Sequence, residues 1–271
     1  MTLIKTITFL LLYCTFANAS AYSVVTYNVW FDQASSAERT PRLLNVIAQE
    51  QADIIALQEV ESWFIDALNQ DDRFKQYHFS LAKGWFNHIK GGLLILSKQP
   101  VTKQHYIDLP SQLNRGLLLI ETNVNKASLC IVTVHLESFL EDTSIRINQL
   151  NTISKETTHC QNLVLLGDFN FGDGEAENTI INPDYRDVWQ KLKANYHGYT
   201  WNIRESSLAR KNSFPSEGSR RLDKVYLTGD LLSAKTIKII GQQGFKTSTG
   251  NTLFPSDHFG LSVKFITALP N

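Results

Sequence analysis

What most restricts the folds open to this chain is a series of short, almost wholly apolar runs, most of them closed by polar residues. They are YSVVTYNVW (22–30), ADIIALQEV (52–60), GGLLILS (91–97), GLLLIETNV (116–124), SLCIVTVHL (128–136), QNLVLLGDF (161–169), LDKVYLTG (222–229), AKTIKII (234–240) and FGLSVKFI (259–266). Each has the length and composition of a strand, and a strand apolar on both sides is covered on both faces. Helical periodicity is confined to ERTPRLLNVIAQEQ (38–51), ESWFIDALNQ (61–70) and TSIRINQLNTISKETT (143–158). So many doubly covered strands with so few helices do not fit one doubly wound parallel sheet. They predict an α/β four-layer sandwich, in which two stacked mixed β-sheets are flanked by helices. No repeat, low-complexity tract or Pro/Gly/Ser-rich linker interrupts residues 20–271, which read as one domain.

Residues 1–19 stand apart. They carry one early lysine, Lys5, an apolar stretch from Ile7 to Phe16 too short to span a bilayer, and the small-residue pattern Ala17-Asn18-Ala19. This is the pattern of a secretory signal peptide, with cleavage expected after Ala19, or else after Ala21, and a secreted or periplasmic mature chain. Cys14 has poor context for a lipid attachment, so no stable membrane anchor is expected. Formal net charge is zero, and one unit negative once Lys5 leaves with the leader. That argues against holding a polyanion by bulk charge but leaves room for a local basic groove. Two cysteines remain, Cys130 and Cys160. Export would allow them to pair, while their apolar settings suit small buried hydrophobes, so the fold is expected to rest on its core.

The polar interruptions fall at strand ends: Asn28, Gln58-Glu59, His135 with Glu137 and Ser138, Asp168 with Asn170, and Asp223 at a strand start. Singly, each has a plain reading as a turn residue, helix cap or core histidine. Asp257 and His258, adjacent where the last run begins, would point to opposite sides of a strand and so serve different partners. Jointly, the strand ends of one sandwich can converge on one rim. They would then supply hard oxygen ligands for a divalent cation, a base for water and donors for phosphoryl oxygens. With no second acid cluster, one ion is the simpler arrangement.

In order along the chain, TYNVWF, LQEV, HLES, GDFN, RRLDKV and SDHFGL resemble the endonuclease/exonuclease/phosphatase superfamily of metal-dependent phosphohydrolases. With RINQL, DVW (187–189), YTWN (199–202) and FPSDHFGL, the chain is most similar to its tyrosyl-DNA phosphodiesterase branch. The resemblance implies the deoxyribonuclease-like form of the sandwich and a monomer acting on a phosphodiester, most naturally of nucleic acid. It implies Mg²⁺, with Mn²⁺ as a substitute. It makes Glu59 the metal-binding glutamate and gives Asp257 the completion of the metal's outer shell. Asn28 would hold phosphate or a metal-bound water, and His135 would contact phosphate. Asp168 would orient and deprotonate the attacking water, which Asn170 steadies together with the phosphate. His258, with Asp223 as its carboxylate partner, would stabilise charge on the transferring group. Trp201 and Leu222 would line the groove for the substrate's end, with Arg115 as a further substrate-binding residue.

Two departures stand out. After the GDxN-x segment this branch usually has a phosphate-gripping arginine, whereas FNFGDG has Gly172 there. The stretch 204–221 carries Arg204, Arg210, Lys211, Arg220 and Arg221 and reads either as a solvated loop or as a compensating basic lip. An export signal also sits oddly with DNA repair inside a cell. A secreted sphingomyelinase-type phospholipid phosphodiesterase or a phosphoinositide phosphatase is the alternative enzyme, although KGWFNHIKGG (83–92) is the sole candidate for membrane insertion. A non-catalytic binding module would have lost site residues, and this chain keeps them.

Overall fold

Two crossovers set the architecture. β1 (Ala21–Asn28) leads through helix α1 (Ser36–Gln49) to β2 (Ile54–Gln58), which lies parallel to it. β7 (Ala127–His135) leads through α3 (Thr143–Glu156) to β8 (Leu163–Asp168), again parallel. A parallel pair needs such a crossover, and a helix on the outer face supplies it. Each pair sits near the middle of its own six-stranded sheet in this computed structural model, which describes residues 20–84 and 88–268. The expected leader and the centre of KGWFNHIKGG lie outside the described residues.

In the first sheet, β3 (His78–Lys83), β4 (Ile89–Ser97), β11 (Leu232–Ile240) and β14 (Gly260–Thr267) join in the order β11-β14-β1-β2-β4-β3. In the second, β5 (Lys103–Asp108), β6 (Gly116–Val124), β9 (Arg186–Asp187) and β10 (Asp223–Thr228) complete the order β5-β6-β7-β8-β10-β9. The added strands pair antiparallel, so both sheets are mixed. β12 (Phe245–Lys246) and β13 (Thr252–Leu253) form a separate small ribbon.

Three apolar layers hold the stack. Between the sheets, Val24, Ile54 and Ile95 meet Leu118, Ile131, Val164 and Val225. Outside the first sheet, Leu43, Leu44 and Ile47 of α1 and Phe64 and Leu68 of α2 (Ser62–Gln70) cover Val25, Ile55 and Leu94. Outside the second, Leu150 and Ile153 of α3 cover Val132, Val134 and Leu165. This is the four-layer sandwich that the apolar runs predict, and all nine runs are strands.

The sequence reading missed β3 and β5, half-polar strands at the sheet edges, and three strands of two residues. It also missed α4 (Val188–Lys193) and α5 (Ser207–Asn212), too short to show a helical period. The expectation that core packing alone holds the fold is corrected as well. Cys130 on β7 is disulfide-bonded to Cys160 in the turn leading into β8, so a covalent link ties the two parallel strands together.

Candidate active site

Side-chain alternation carries the central core up into a cluster of ionisable groups. In β1, Val24 faces the inner layer while Val25 and Tyr27 face the helices, so Thr26 and Asn28 continue the inner row. The same rows run Ile54-Ala56-Gln58, Ile131-Thr133-His135, Val164-Leu166-Asp168 and, reversed on antiparallel β10, Leu227-Val225-Asp223. Each is apolar for most of its length and polar at one end. A neutral layer closes the core: the Gln58 amide donates to Thr133 across the sheets at 2.8 Å and to Thr26 at 3.2 Å. The charged groups lie beyond it.

Two side chains reach the cluster by a backbone device. Glu59 and Asn170 follow their strands at positions with φ of 59° and 55°. The left-handed conformation costs about 1–2 kcal/mol for a residue with a Cβ, less for asparagine, and here it turns both side chains toward the cleft. Glycine is required beside them. A Cβ on Gly92 would press on the Glu59 Cα at 3.1 Å, and one on Gly167 (φ 141°) would collide with the Val134 carbonyl.

Asn28 is the joint of the network. Its Nδ2 donates to Glu59 Oε1 at 2.9 Å and to Asp168 Oδ2 at 3.0 Å, and its Oδ1 accepts from the Trp30 amide. Glu59 Oε2 accepts from the Phe31 amide, and Asp168 Oδ1 from the Asn170 amide. Arg115 donates to His135 Nδ1 at 2.9 Å. An arginine can only donate, so the His135 proton sits on Nε2, 3.5 Å from Asp168 Oδ2 and 3.8 Å from Glu59 Oε1. His258 Nδ1 meets Asp223 Oδ2 at 2.9 Å and its Nε2 lies 3.6 Å from Asp168 Oδ2. The Trp201 ring packs on His258 with centroids 4.9 Å apart.

The electrostatics separate the two imidazoles. Burial, with the nearby charges of Arg115 and His258, holds His135 well below the usual histidine range, so it is neutral. Burial also disfavours charge on His258, but Asp223 and Asp168 outweigh it and hold this ring well above that range, as an imidazolium. Burial, and then the charge of Asp257, push Glu59 up from 4.5 to about 7. Burial likewise raises Asp168 and Asp257. Buried carboxylates that raise one another, with hard oxygen donors facing a cleft, are a donor set that a small divalent cation fits and relieves.

The cleft itself, of about 330 Å³, is lined by Glu59, His135, Asp168, Asn170, Trp201, Leu222, Asp257 and His258. Asn28, Asp223 and Arg115 stand behind this wall and hold members of it. A larger cleft of about 670 Å³ adjoins it, sharing Phe31 and Glu59 and lined also by Arg115. The ionisable cluster belongs to the smaller one.

Four expectations change. Asn28 lies behind the cleft wall with its amide spent on Glu59, Asp168 and the Trp30 N–H, so it positions the two carboxylates rather than holding phosphate or a metal-bound water. Asp257 and His258 do not diverge: they lie in a bend before β14, and both face the same cleft. Asn212 and Ser256 hold the Asp257 carboxylate, at 2.8 Å and 3.2 Å. The Asn170 amide is committed to the Leu136 carbonyl and Ser138 Oγ, which leaves its Oδ1, an acceptor suited to water rather than to phosphate. The stretch 204–221 is not an open basic lip. Arg221 is buried in pairs with Asp173 and Asp187, and Arg210 binds the Ile203 and Arg204 carbonyls. Of its five cations, only Arg220 lines the catalytic cleft.

Sequence reasoning missed the positioning residues Thr200, Asn212 and Arg39, and gave Ser138, which it placed at a strand end, no role. Thr200 Oγ1 accepts the Leu222 and Asp223 amides. Buried Arg39 lies over Trp30, 4.3 Å from its centroid, and donates to the carbonyls of Asp32, Ala34 and Pro255, tying the two site loops together. Ser138 and Thr200 lie within HLES and YTWN, whereas no local pattern marks Asn212 or Arg39.

The sequence pattern of the Endonuclease/Exonuclease/phosphatase family matches residues 25–258. Tyrosyl-DNA phosphodiesterase 2 of Homo sapiens is 27% identical over 260 residues, spanning 90% of this chain and 68% of that protein. The Rattus norvegicus protein is 27% identical over 253 residues, spanning 90% and 66%. The chain thus spans about two thirds of the length of these relatives. Among solved structures, tyrosyl-DNA phosphodiesterase 2 of D. rerio, complexed with single strand DNA product, shares the fold with a TM-score of 0.77 at 24% identity, covering 91% of this chain and 99% of that one. Sphingomyelinase C from Streptomyces griseocarneus does so with a TM-score of 0.68 at 17% identity, covering 92% and 100%. With the family pattern running from β1 to His258 and its strand ends gathered in one cleft, the chain belongs to the endonuclease/exonuclease/phosphatase family of metal-dependent phosphoester hydrolases.

Proposed function

We propose that the mature chain is exported and hydrolyses a phosphodiester at nucleic-acid ends, by in-line attack of water, with Mg²⁺ as its ion and Mn²⁺ as a substitute. The observation that carries this reading is the Asn28 amide, which spans Glu59 and Asp168 and so fixes a metal-binding carboxylate against a water-activating one. Glu59 would hold the ion, with Asp257 completing its outer shell. Once bound, the ion polarises a phosphoryl oxygen and offsets charge that develops on it.

The chain's own groups do the rest. Asp168 Oδ2, held by Asn28, orients the water and takes its proton. The free Asn170 oxygen accepts a hydrogen bond from the water's other O–H, which stays on the nucleophile. Neutral His135 presents Nε2–H to the phosphate, fixed from behind by Arg115. The His258 imidazolium, kept charged by Asp223, donates to the transferring group where negative charge grows. Trp201 and Leu222 give the cleft an apolar wall against which a base or tyrosyl ring can lie. The names of the relatives support nucleic acid over lipid.

A phospholipid phosphodiester is the second reading. It is favoured by Phe31 and Leu113, exposed apolar side chains lining the cleft or the one that adjoins it, and by exposed Phe139, packed on Phe214 of the cleft wall. An assay of the mature protein with Mg²⁺ decides, comparing 5′-phosphotyrosyl DNA, plain single- and double-stranded DNA, RNA, sphingomyelin and phosphoinositides, with Asp168→Asn as the blank. Hydrolysis confined to the lipids would replace the nucleic-acid reading. Glu59→Ala is expected to raise the Mg²⁺ needed for half-maximal rate; an unchanged titration removes Glu59 from the metal's shell. N-terminal sequencing of exported material beginning at Ser20 would support the leader, and retention of residues 1–19 would exclude it.

A further inference from the structure

Gly172 has Arg220 as its neighbour. Its backbone does not need glycine, since its φ lies outside the left-handed region. A Cβ there would meet Arg220 Cδ at 3.4 Å and Arg220 Cβ at 3.5 Å, ordinary contact distances, and only Glu175 Oε1, at 2.8 Å and at the end of a flexible side chain, would have to move. Arg220 therefore stands in contact distance of the place where a side chain at 172 would begin.

Arg220 is also built into the site. Its backbone exchanges hydrogen bonds with Trp201, at 2.8 Å and 3.0 Å, which fixes it two residues from Leu222 on the cleft wall. Glu217, itself buried and anchored by the Phe214 amide, accepts from Nε and Nη2, and Glu175 accepts from Nη1 at 3.3 Å. Three of the five guanidinium N–H donors are used, leaving one on each terminal nitrogen. The Glu175 contact is the longest, and that carboxylate is a third exposed, so an incoming anion can displace it.

We propose that Arg220 binds a phosphate of the substrate strand beyond the scissile one, taking over from its own wall of the cleft the cation role that position 172 does not supply. This rests on the nucleic-acid reading above, because a phospholipid with a single phosphodiester has no second phosphate to offer. The route of the strand follows from the surface. Arg220 lines both the catalytic cleft and a second cleft of about 400 Å³. The second cleft also presents the stacked rings of His197 and Tyr199, 4.8 Å apart and 5° from parallel. A cation followed by aromatic faces is how single strands are held without reading their sequence.

The test uses Arg220→Gln, which keeps a donor for buried Glu217 but removes the charge, in the inactive Asp168→Asn background. Binding of a fluorescent single-stranded oligonucleotide is followed by anisotropy across a salt series. Loss of one phosphate contact is expected to weaken binding about tenfold at low salt and to reduce the slope of log K against log salt by about 0.7. In the active enzyme the loss appears in KM for substrates that carry a phosphate beyond the scissile one and is absent for those that do not. Gly172→Arg with Arg220→Leu, which moves the arginine from position 220 to position 172, is expected to restore the slope. Parent binding with an unchanged slope in Arg220→Gln overturns the Arg220 assignment alone. Failure of the parent to bind or hydrolyse any nucleic acid overturns both it and the nucleic-acid reading.

Discussion

Asp168 is where the charges of the site meet, with the Asn28 amide and two imidazoles facing one oxygen. Asp168→Asn removes the base while keeping the shape, and His258→Ala removes the cation beside it. Each is expected to cut turnover by at least about a hundredfold with folding intact, and near-normal rates in either would exclude the assigned roles. Asp223→Asn keeps an acceptor for His258 Nδ1 but removes the charge that holds the ring protonated. His258 then loses its proton at lower pH, so the alkaline limb of the pH–rate profile is expected to move down by roughly one unit or more; an unmoved limb means that His258 does not act as a cation. On the acid side, rates fall as Glu59 and Asp168, both raised by burial, take up protons.

At the scale of elements, the strands that carry the site are coupled to the pairing of Cys130 with Cys160. The bond closes a loop spanning 30 residues, which constrains the unfolded chain by about 3–4 kcal/mol. The Cys130→Ala/Cys160→Ala variant is expected to lower Tm by roughly 5–15 °C; a Tm equal to that of the oxidised parent would show that the bond contributes nothing. Central strands such as LLILS and LVLLGD were legible because burial on both faces leaves only apolar residues. HFSLAK and KQHYID were not, because an edge strand keeps one side in water and its composition resembles a loop. The disulfide was equally hidden. It depends on β7 and β8 lying side by side in register, with Cys130 opposite Leu163, and no local pattern encodes that.

Across the whole molecule, the two crossovers face one another through the central core, so the C-terminal ends of β1, β2, β7 and β8 open on the same rim. Antiparallel β10 and β14 bring their starting ends to it, with Asp223 and His258. Assembling four acids there has a consequence for stability. Glu59 is raised from 4.5 to about 7, so the folded metal-free protein binds this proton more tightly than the unfolded chain. The stability it contributes is fully present below pH 4.5 and is lost as pH rises towards about 7. A cation bound at Glu59 reverses that loss. The gain in Tm on adding Mg²⁺ is therefore expected to be larger near pH 8 than near pH 5.5, read by thermal unfolding of Asp168→Asn to separate binding from turnover. Equal gains at both would mean that Glu59 does not hold the ion.

The sequence by itself determined the layers and the identities of the reactive groups. Burial on both faces forces apolar strands, and carboxylate, amide and imidazole groups at their ends have few structural uses in such number. Tertiary structure alone decided how those groups partner. The bend at 255–258 turned Asp257 and His258 into one cleft, the hydrogen bond from Arg115 chose the His135 tautomer, and two carboxylates made His258 a cation. Tertiary structure also buried Arg221 while leaving Arg220 on the cleft wall. The physical reason is range. Strand alternation is local and readable, whereas tautomer, charge state and the reach of an arginine depend on neighbours from distant parts of the chain, brought close only by packing.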